Sequence, residues 1–357
     1  DFIEYWAAGR LNLIQGNPYS PEQIKALQVQ VGRSEGVPLM MWNPPWTLAL
    51  IMPFGLLDYA TGRMLWLLLS LAILCLVADW IWRFYGGAPE QRWIAWLMAC
   101  TFGPALQVLR LGQITPFLLL GVAGFLYLIE NKRWFWAGGI VALWLIKPHL
   151  LYLVIVVLLL WMLEHRNFLP LLGLAAMLGA ALAIAWLANP TLFQQYLIAT
   201  TQYPPVEWMT PTLGGLLRSW LGPEHFWLQF VPTALGSLWG IWYWFQHRVN
   251  WQWRERLPWL LLVSMATSAY GWNFDQVISL VALLPAGLSL LQESPSWKKG
   301  AFVGTYLVAN GLILFSNFQQ FWYWWVAPFF LCWEVGIGHA FPHLKDRLGL
   351  PAKQECP

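Results

Sequence analysis

Apolar residues run along this chain in blocks of 14 to 21 positions, separated by short polar stretches. Blocks of that length match the roughly 20 residues needed to cross a bilayer as helix, fewer where a helix is packed inside a bundle. The pattern predicts eleven spans, at 64–84, 93–109, 114–130, 134–147, 149–163, 168–188, 226–246, 257–270, 276–292, 300–316 and 321–340. The shorter blocks predict tilted or broken helices around a cavity. Residues 44–58 are apolar but interrupted by Pro44, Pro45, Pro53 and Gly55. They predict one or two short helices lying in the membrane interface rather than a crossing. No internal repeat or low-complexity linker divides the chain. The expected fold is an all-α, polytopic transmembrane bundle forming one domain over 1–357. An external loop with interfacial helices occupies 1–63, the bundle 64–340, with a long external loop at 189–225, and a cytoplasmic tail 341–357.

Composition narrows the function classes. Of 357 residues, 59% are hydrophobic and 10% charged, against about a quarter charged in soluble proteins. Mean hydropathy is +0.52. A soluble enzyme, a nucleic-acid binder and a disordered scaffold are thereby excluded; the solvent must include lipid. The net charge of +3 implies no polyanionic partner, and the 28 Trp residues suit long membrane–water boundaries. Cys75, Cys100, Cys332 and Cys356 show no CxxC pairing, so neither a disulfide framework nor a zinc site is indicated.

Charge placement orients the bundle. One alternating set of loops, with the tail, carries 13 of the 20 Lys and Arg residues; the other set, together with 1–63, carries 7 over much longer segments. The positive-inside rule puts the first set in the cytoplasm. The long or chemically unusual segments then all face outward, which places function there. Because the sequence opens at Asp1, a further transmembrane helix is expected ahead of it.

Candidate chemistry lies at the outward breaks. Asp1 heads an aromatic, polar segment, DFIEYWAAGRLNLIQGNPYSPE, where an acid at a cavity mouth can act as general base. A solvated aspartate is the plain alternative. Arg110 and Gln113 stand in the turn RLGQ, and Lys147 and His149 in IKPH. Arg and Lys at one depth suit a phosphate, Arg as a planar fork and Lys as a point charge; snorkelling to lipid headgroups is the alternative. GWNFDQ carries Trp272, Asn273 and Asp275, a flat ring and hydroxyl partners for a sugar, or an ordinary helix cap. The 189–225 segment offers Tyr203, Pro204, Pro205, Glu207, Trp208 and Arg218 as a cover or a simple connection. Glu334, within the last span, calls for a buried partner. No P-loop, GxGxxG, GxSxG or HExxH motif occurs, and no intramembrane carboxylate string suggests a proton relay.

These residues, in this order, carry a resemblance. Asp1 in its aromatic segment, Asn-Pro-Pro at 43–45, LGQ at 111–113, KPH at 147–149 and the Trp272/Asp275 segment are similar to polytopic GT-C glycosyltransferases. The chain most closely resembles the bacterial polyprenol-phosphate-mannose-dependent mannosyltransferases of glycosyltransferase family 87. The resemblance implies an inverting transfer of mannose or another hexose from a polyprenyl-phosphate donor to a glycan, lipid or protein hydroxyl, outside the bacterial cytoplasmic membrane. It implies Asp1 as base, Arg110 and Lys147 at the donor phosphate with His149 and Gln113 assisting, and Tyr5, Tyr19, Trp272, Asn273 and Asp275 around sugar and acceptor. No cofactor is expected, although Asp1 and Asp275 leave room for a shared divalent metal. Two other readings compete: a non-catalytic membrane subunit of a larger complex retaining this fold, and a transporter, which needs a polar path to both faces.

Overall fold

A computed structural model describes residues 1–337, except 34–35, 204–205, 207, 294 and 316–319; of residues 293, 315, 320–321 and 334–337 it describes only the backbone. Pro204, Pro205, Glu207, the Glu334 side chain and the 341–357 tail therefore lie outside the described residues.

Every described element is helical. The first 63 residues hold α1 (Phe2–Leu13), α2 (Pro21–Gln30) and α3 (Leu48–Gly55), the last entered through a 3-10 turn at Pro45–Thr47. The interrupted apolar run thus folds as short helix, as its prolines predict. α1 and α3 touch backbone to backbone: a Cβ on Gly55 would meet the Arg10 amide at 2.5 Å and one on Gly9 the Ile51 carbonyl at 2.9 Å. Small residues permit that approach. The next elements are α4 (Tyr59–Phe84), α5 (Arg92–Thr101), α6 (Gly103–Leu111), α7 (Thr115–Glu130), α8 (Trp134–Ile140), α9 (Tyr152–His165) and α10 (Leu169–Ala188). They are followed by α11 (Leu192–Gln202), α12 (Leu213–Leu221), α13 (Val231–His247), α14 (Trp253–Thr267), α15 (Leu280–Glu293), α16 (Ser296–Phe315) and α17 (Val326–Ile337).

As far as the described residues reach, each apolar stretch expected to be a span lies on helix. Among the described residues, three helical stretches, Tyr59–Phe84, Leu169–Ala188 and Asn273–Gln292, are long and apolar enough to cross a membrane. The pair Pro89–Thr101 and Gly103–Leu111 makes a fourth if counted as one span bent by 59°. That break was hidden in an unbroken apolar run. Its cause is local: Pro104 in the first turn of α6 donates no backbone N–H, and the Gly103 amide donates instead to Asn310 Oδ1 of α16. The 189–225 segment is also more ordered than expected, since it contains α11 and α12. Arg218 is buried there and donates to the Val206 carbonyl (2.9 Å), the Pro223 carbonyl (2.7 Å) and Gln229 Oε1. It holds the segment to itself and, through Gln229, to the start of the next helical stretch.

The helices differ in depth. The best apolar window of Asn273–Gln292 is 94% buried, so α15 is central; that of Leu169–Ala188 is only 11% buried, so α10 shows most of its surface to lipid. α10 packs on α8 through glycines: a Cβ on Gly138 would strike the Pro170 backbone, and one on Gly173 the Phe135 backbone. Between α3, α7, α8 and α10 lies a cavity of about 540 Å³, lined by apolar side chains such as Trp46, Leu50, Leu143, Ile146, Met177 and Leu178. Arg133 lies at the start of the α8 stretch and Ile146 at its end, so the cavity follows that stretch along its length.

Candidate functional site

Three helix breaks and one helix start supply the polar residues. α6 ends at Gly112, whose φ of +72° is the left-handed conformation that closes a helix and favours glycine. A Cβ there would meet Phe2 Cβ at 2.7 Å, and the Gly112 carbonyl accepts the Trp66 indole N–H at 3.0 Å. The turn is thereby fixed, and it delivers Gln113. The stretch after α8 tightens to 3-10 helix over Val141–Ile146, and Lys147 leaves helical geometry (φ −138°, ψ 71°). The reason is Pro148, whose ring disfavours the helical conformation in the residue before it. Beyond α14 the chain turns at Gly271 into the 3-10 stretch Asn273–Ser279, which carries Asp275. Asp1 stands at the N-cap of α1.

These residues form one connected chain of contacts. The Gln113 side-chain amide donates to Asp1 Oδ2 at 2.5 Å. Gln113 Oε1 accepts from the Tyr5 hydroxyl at 3.0 Å and from Lys147 Nζ at 3.4 Å. Lys147 Nζ pairs with Asp275 Oδ1 at 2.7 Å, and the Thr115 hydroxyl donates to the same oxygen at 2.8 Å. Asp275 Oδ2 accepts the Trp272 backbone N–H at 3.1 Å, so Asp275 caps its turn and holds the lysine together. The Lys147 ammonium also lies 5.0 Å from the Phe274 ring centroid. The pair is enclosed: the Lys147 side chain is 12% exposed and that of Asp275 1%.

A titratable neighbour on α1 responds to burial. The Glu4 carboxyl, on α1, is pushed up to about 7 by loss of solvation, with the Tyr5 hydroxyl and the Lys147 charge partly opposing the rise. The His149 ring, in the turn after Pro148, lies edge-on to Tyr270 with centroids 6.0 Å apart.

The other expected residues sit at or beyond the margin. Arg110 is exposed at the end of α6 and makes no hydrogen bond to the cluster. Tyr19 is buried; its hydroxyl donates to the Asn43 carbonyl (3.3 Å) and its ring packs on Tyr196 (5.1 Å). Asn43 in turn donates to the Ile146 carbonyl at 3.1 Å, and Trp46 to the Leu145 carbonyl at 3.2 Å. Tyr19, Asn43 and Trp46 therefore brace the backbone that presents Lys147. Trp272 stacks on Phe274 (6.3 Å), and Asn273 Oδ1 accepts its neighbour's backbone N–H. Among the described residues no three His, Cys, Asp or Glu side chains gather as a metal site would require. Three members of the site carried no distinct sequence signal. Glu4 reads as one more polar position of an amphipathic segment, Thr115 as a helix-start residue and Phe274 as packing.

The geometry thus joins Asp1, Tyr5, Gln113, Lys147 and Asp275, and Lys147 directly follows Ile146, which lines the apolar cavity. No curated protein and no solved structure matches the chain. A family model does: that of glycosyltransferase family 87 matches residues 42–265, a segment that includes Arg110, Gln113, Lys147 and His149 and stops short of Asp1 and Asp275. The match covers more than half of the chain, and with its helical, lipid-dependent build the protein belongs to glycosyltransferase family 87 as a membrane glycosyltransferase.

Proposed function

We propose that the protein transfers a hexose, mannose among the candidates, from a polyprenyl-phosphate donor to an acceptor hydroxyl on the outer face of a bacterial cytoplasmic membrane, with inversion. The observation that carries this reading is the contact chain from Asp1 through Gln113 to Lys147 and Asp275, whose lysine directly follows a residue, Ile146, that lines an apolar cavity. A polyprenyl phosphate has those two characters, a long apolar tail and an anionic head. The tail enters the cavity from the bilayer beside the lipid-facing α10, and the phosphate lies by Lys147, the residue directly after the cavity-lining Ile146. Arg110, exposed and without a fixed partner, is available to swing toward the head.

Asp1 accepts the proton of the acceptor hydroxyl. Gln113 holds one of its carboxylate oxygens and leaves the other for that task. The acceptor oxygen forms a bond to the anomeric carbon as the bond from that carbon to the phosphate oxygen breaks. The electron pair leaves with polyprenyl phosphate, so Lys147 faces a growing negative charge in a site largely shielded from water, where a fixed cation acts most strongly. Trp272, Asn273 and Asp275 border the sugar. The Lys- and Arg-rich loops lie in the cytoplasm by the charge rule, and the site faces away from them.

The test is Asp1→Asn in the full-length protein, assayed with polyprenyl-phosphate mannose. The variant keeps its thermal midpoint and loses transfer by at least a hundredfold, the scale of a general base. Transfer at a near wild-type rate removes Asp1 from the reaction. A wild-type protein that binds the donor but transfers to no acceptor points to a non-catalytic subunit instead.

A further inference from the structure

The apolar cavity has two ends, and a cation stands by each. Ile146 lines one end and is followed by Lys147; Arg133 lines the other. The helical stretches between them, Trp134–Ile140 and Val141–Ile146, rise roughly 22 Å. Tilted by as much as about 40°, they still outreach the roughly 15 Å of hydrocarbon in one leaflet. A lipid admitted beside Ile146 therefore leaves the Arg133 end within reach of the opposite leaflet.

The Arg133 end has its own chemistry. Arg133 and Trp136 both line it, and both are exposed. An indole ring settles at the membrane–water boundary, so this end opens at headgroup level. The turn carrying Arg133 belongs to the Lys- and Arg-rich set, which the charge rule places in the cytoplasm. The Arg133 side chain makes no hydrogen bond or ion pair among the described residues. Two other arginines of that set are paired, Arg83 with Asp79 and Arg248 with Glu164 at 3.0 Å. The acid beside Arg133 is engaged elsewhere, since Glu130 accepts the Arg254 backbone N–H at 3.1 Å. An unpaired guanidinium at the end of an apolar slot matches an anion that carries a hydrocarbon chain.

We propose that the Arg133 end of the cavity binds an anionic phospholipid of the cytoplasmic leaflet, its phosphate on the guanidinium and one acyl chain running toward Ile146. A zwitterionic phospholipid offers the same chain, but its own cation offsets the phosphate, so charge selects between them. The phospholipid also competes with the donor tail for the cavity. That consequence rests on the reading of the cavity as the donor's, and it makes donor uptake depend on the anionic lipid content of the membrane.

The test uses the full-length protein in phosphatidylcholine nanodiscs containing a small share of photoreactive phosphatidylglycerol, with a diazirine along one acyl chain. Mass spectrometry locates the labelled peptides. In the wild type the probe should label the cavity wall, at 140–146 and 177–181, more strongly than its phosphatidylcholine counterpart does. Arg133→Gln should cut that labelling about fivefold, the scale of one cation against a headgroup, with the thermal midpoint unchanged. Arg133→Lys should keep part of it. Lys132→Gln removes a neighbouring charge that does not line the cavity and should leave labelling as it is. Excess polyprenyl phosphate should displace the probe. Donor KM should rise severalfold with added phosphatidylglycerol in the wild type and stay level in Arg133→Gln.

Equal labelling of the wild type by the two probes overturns the proposal, as does labelling that Arg133→Gln leaves unchanged. An equal loss in Lys132→Gln overturns it too, because diffuse surface attraction then explains the effect. Labelling that requires Arg133 but survives excess polyprenyl phosphate upholds the lipid site and removes the cavity from donor binding.

Discussion

Replacing Lys147 with Met separates what the buried pair does for the fold from what the cation does for the reaction. The methionine keeps most of the side-chain length and removes the charge. Asp275, 1% exposed, would then retain the Thr115 hydroxyl at 2.8 Å and the Trp272 amide at 3.1 Å, but no cation. Stranding one member of a buried ion pair costs about 3–5 kcal/mol, roughly a hundredfold to several-thousandfold in the folding equilibrium. Lys147→Met/Asp275→Asn removes both charges; the Asn carbonyl oxygen can still accept from the Trp272 amide, and its NH2 can donate to the Thr115 hydroxyl, which turns from donor to acceptor. Neutral replacement of a buried pair costs little, so the double variant should return to within about 1 kcal/mol of wild type. Its transfer activity should not return, because the donor phosphate still lacks its cation. Equilibrium unfolding in mixed micelles gives the stabilities, and labelled-sugar transfer gives the activity. A loss below about 1 kcal/mol in the single variant refutes the structural half of the reasoning. Recovery of transfer in the double variant refutes the chemical half.

Two further outcomes follow from the same geometry. Burial raises the Glu4 carboxyl to about 7, so between its ordinary value of 4.5 and 7 the folded state binds more protons than the unfolded state. This contribution to stability is present below pH 4.5 and is lost as pH rises through 7; Glu4→Gln should therefore raise the thermal midpoint at pH 8 relative to wild type and change it little at pH 5, and equal shifts at both would contradict the burial account. Ile146→Trp should fill the end of the cavity nearest Lys147, weakening use of a long polyprenyl donor at least tenfold while leaving a short-chain donor comparatively unaffected; equal losses on both would detach the cavity from donor binding.

Much of this site was legible because polar residues stand out in an apolar chain. Gln113 and Asp275 follow the helix breakers Gly112 and Gly271, Lys147 directly precedes Pro148, and a charge or amide at such a break must find a polar partner. Their partners were not legible. That Lys147 meets Asp275 across 128 positions, and Gln113 meets Asp1 across 112, depends on how the bundle closes. Glu4 carries no distinct signal in the sequence, being one polar position within an aromatic, amphipathic segment. Tyr19 looked like a ring available to a substrate, and its hydroxyl turns instead to Asn43. The bend at Phe102–Gly103 and the helices within 189–225 were missed for opposite reasons. The first lies in a seamless apolar run. The second are short, and α12 begins with Leu-Gly-Gly, a weak helix signal.

The contact chain runs through residues 1, 113, 147 and 275, so it closes between segments far apart in sequence. A ribosome that has released α1 to α13 into the bilayer has produced the aspartate and the lysine, but not the carboxylate that pairs with the lysine. The buried ammonium of Lys147 therefore has its counter-charge only once the segment after α14 has taken its place in the centre of the bundle.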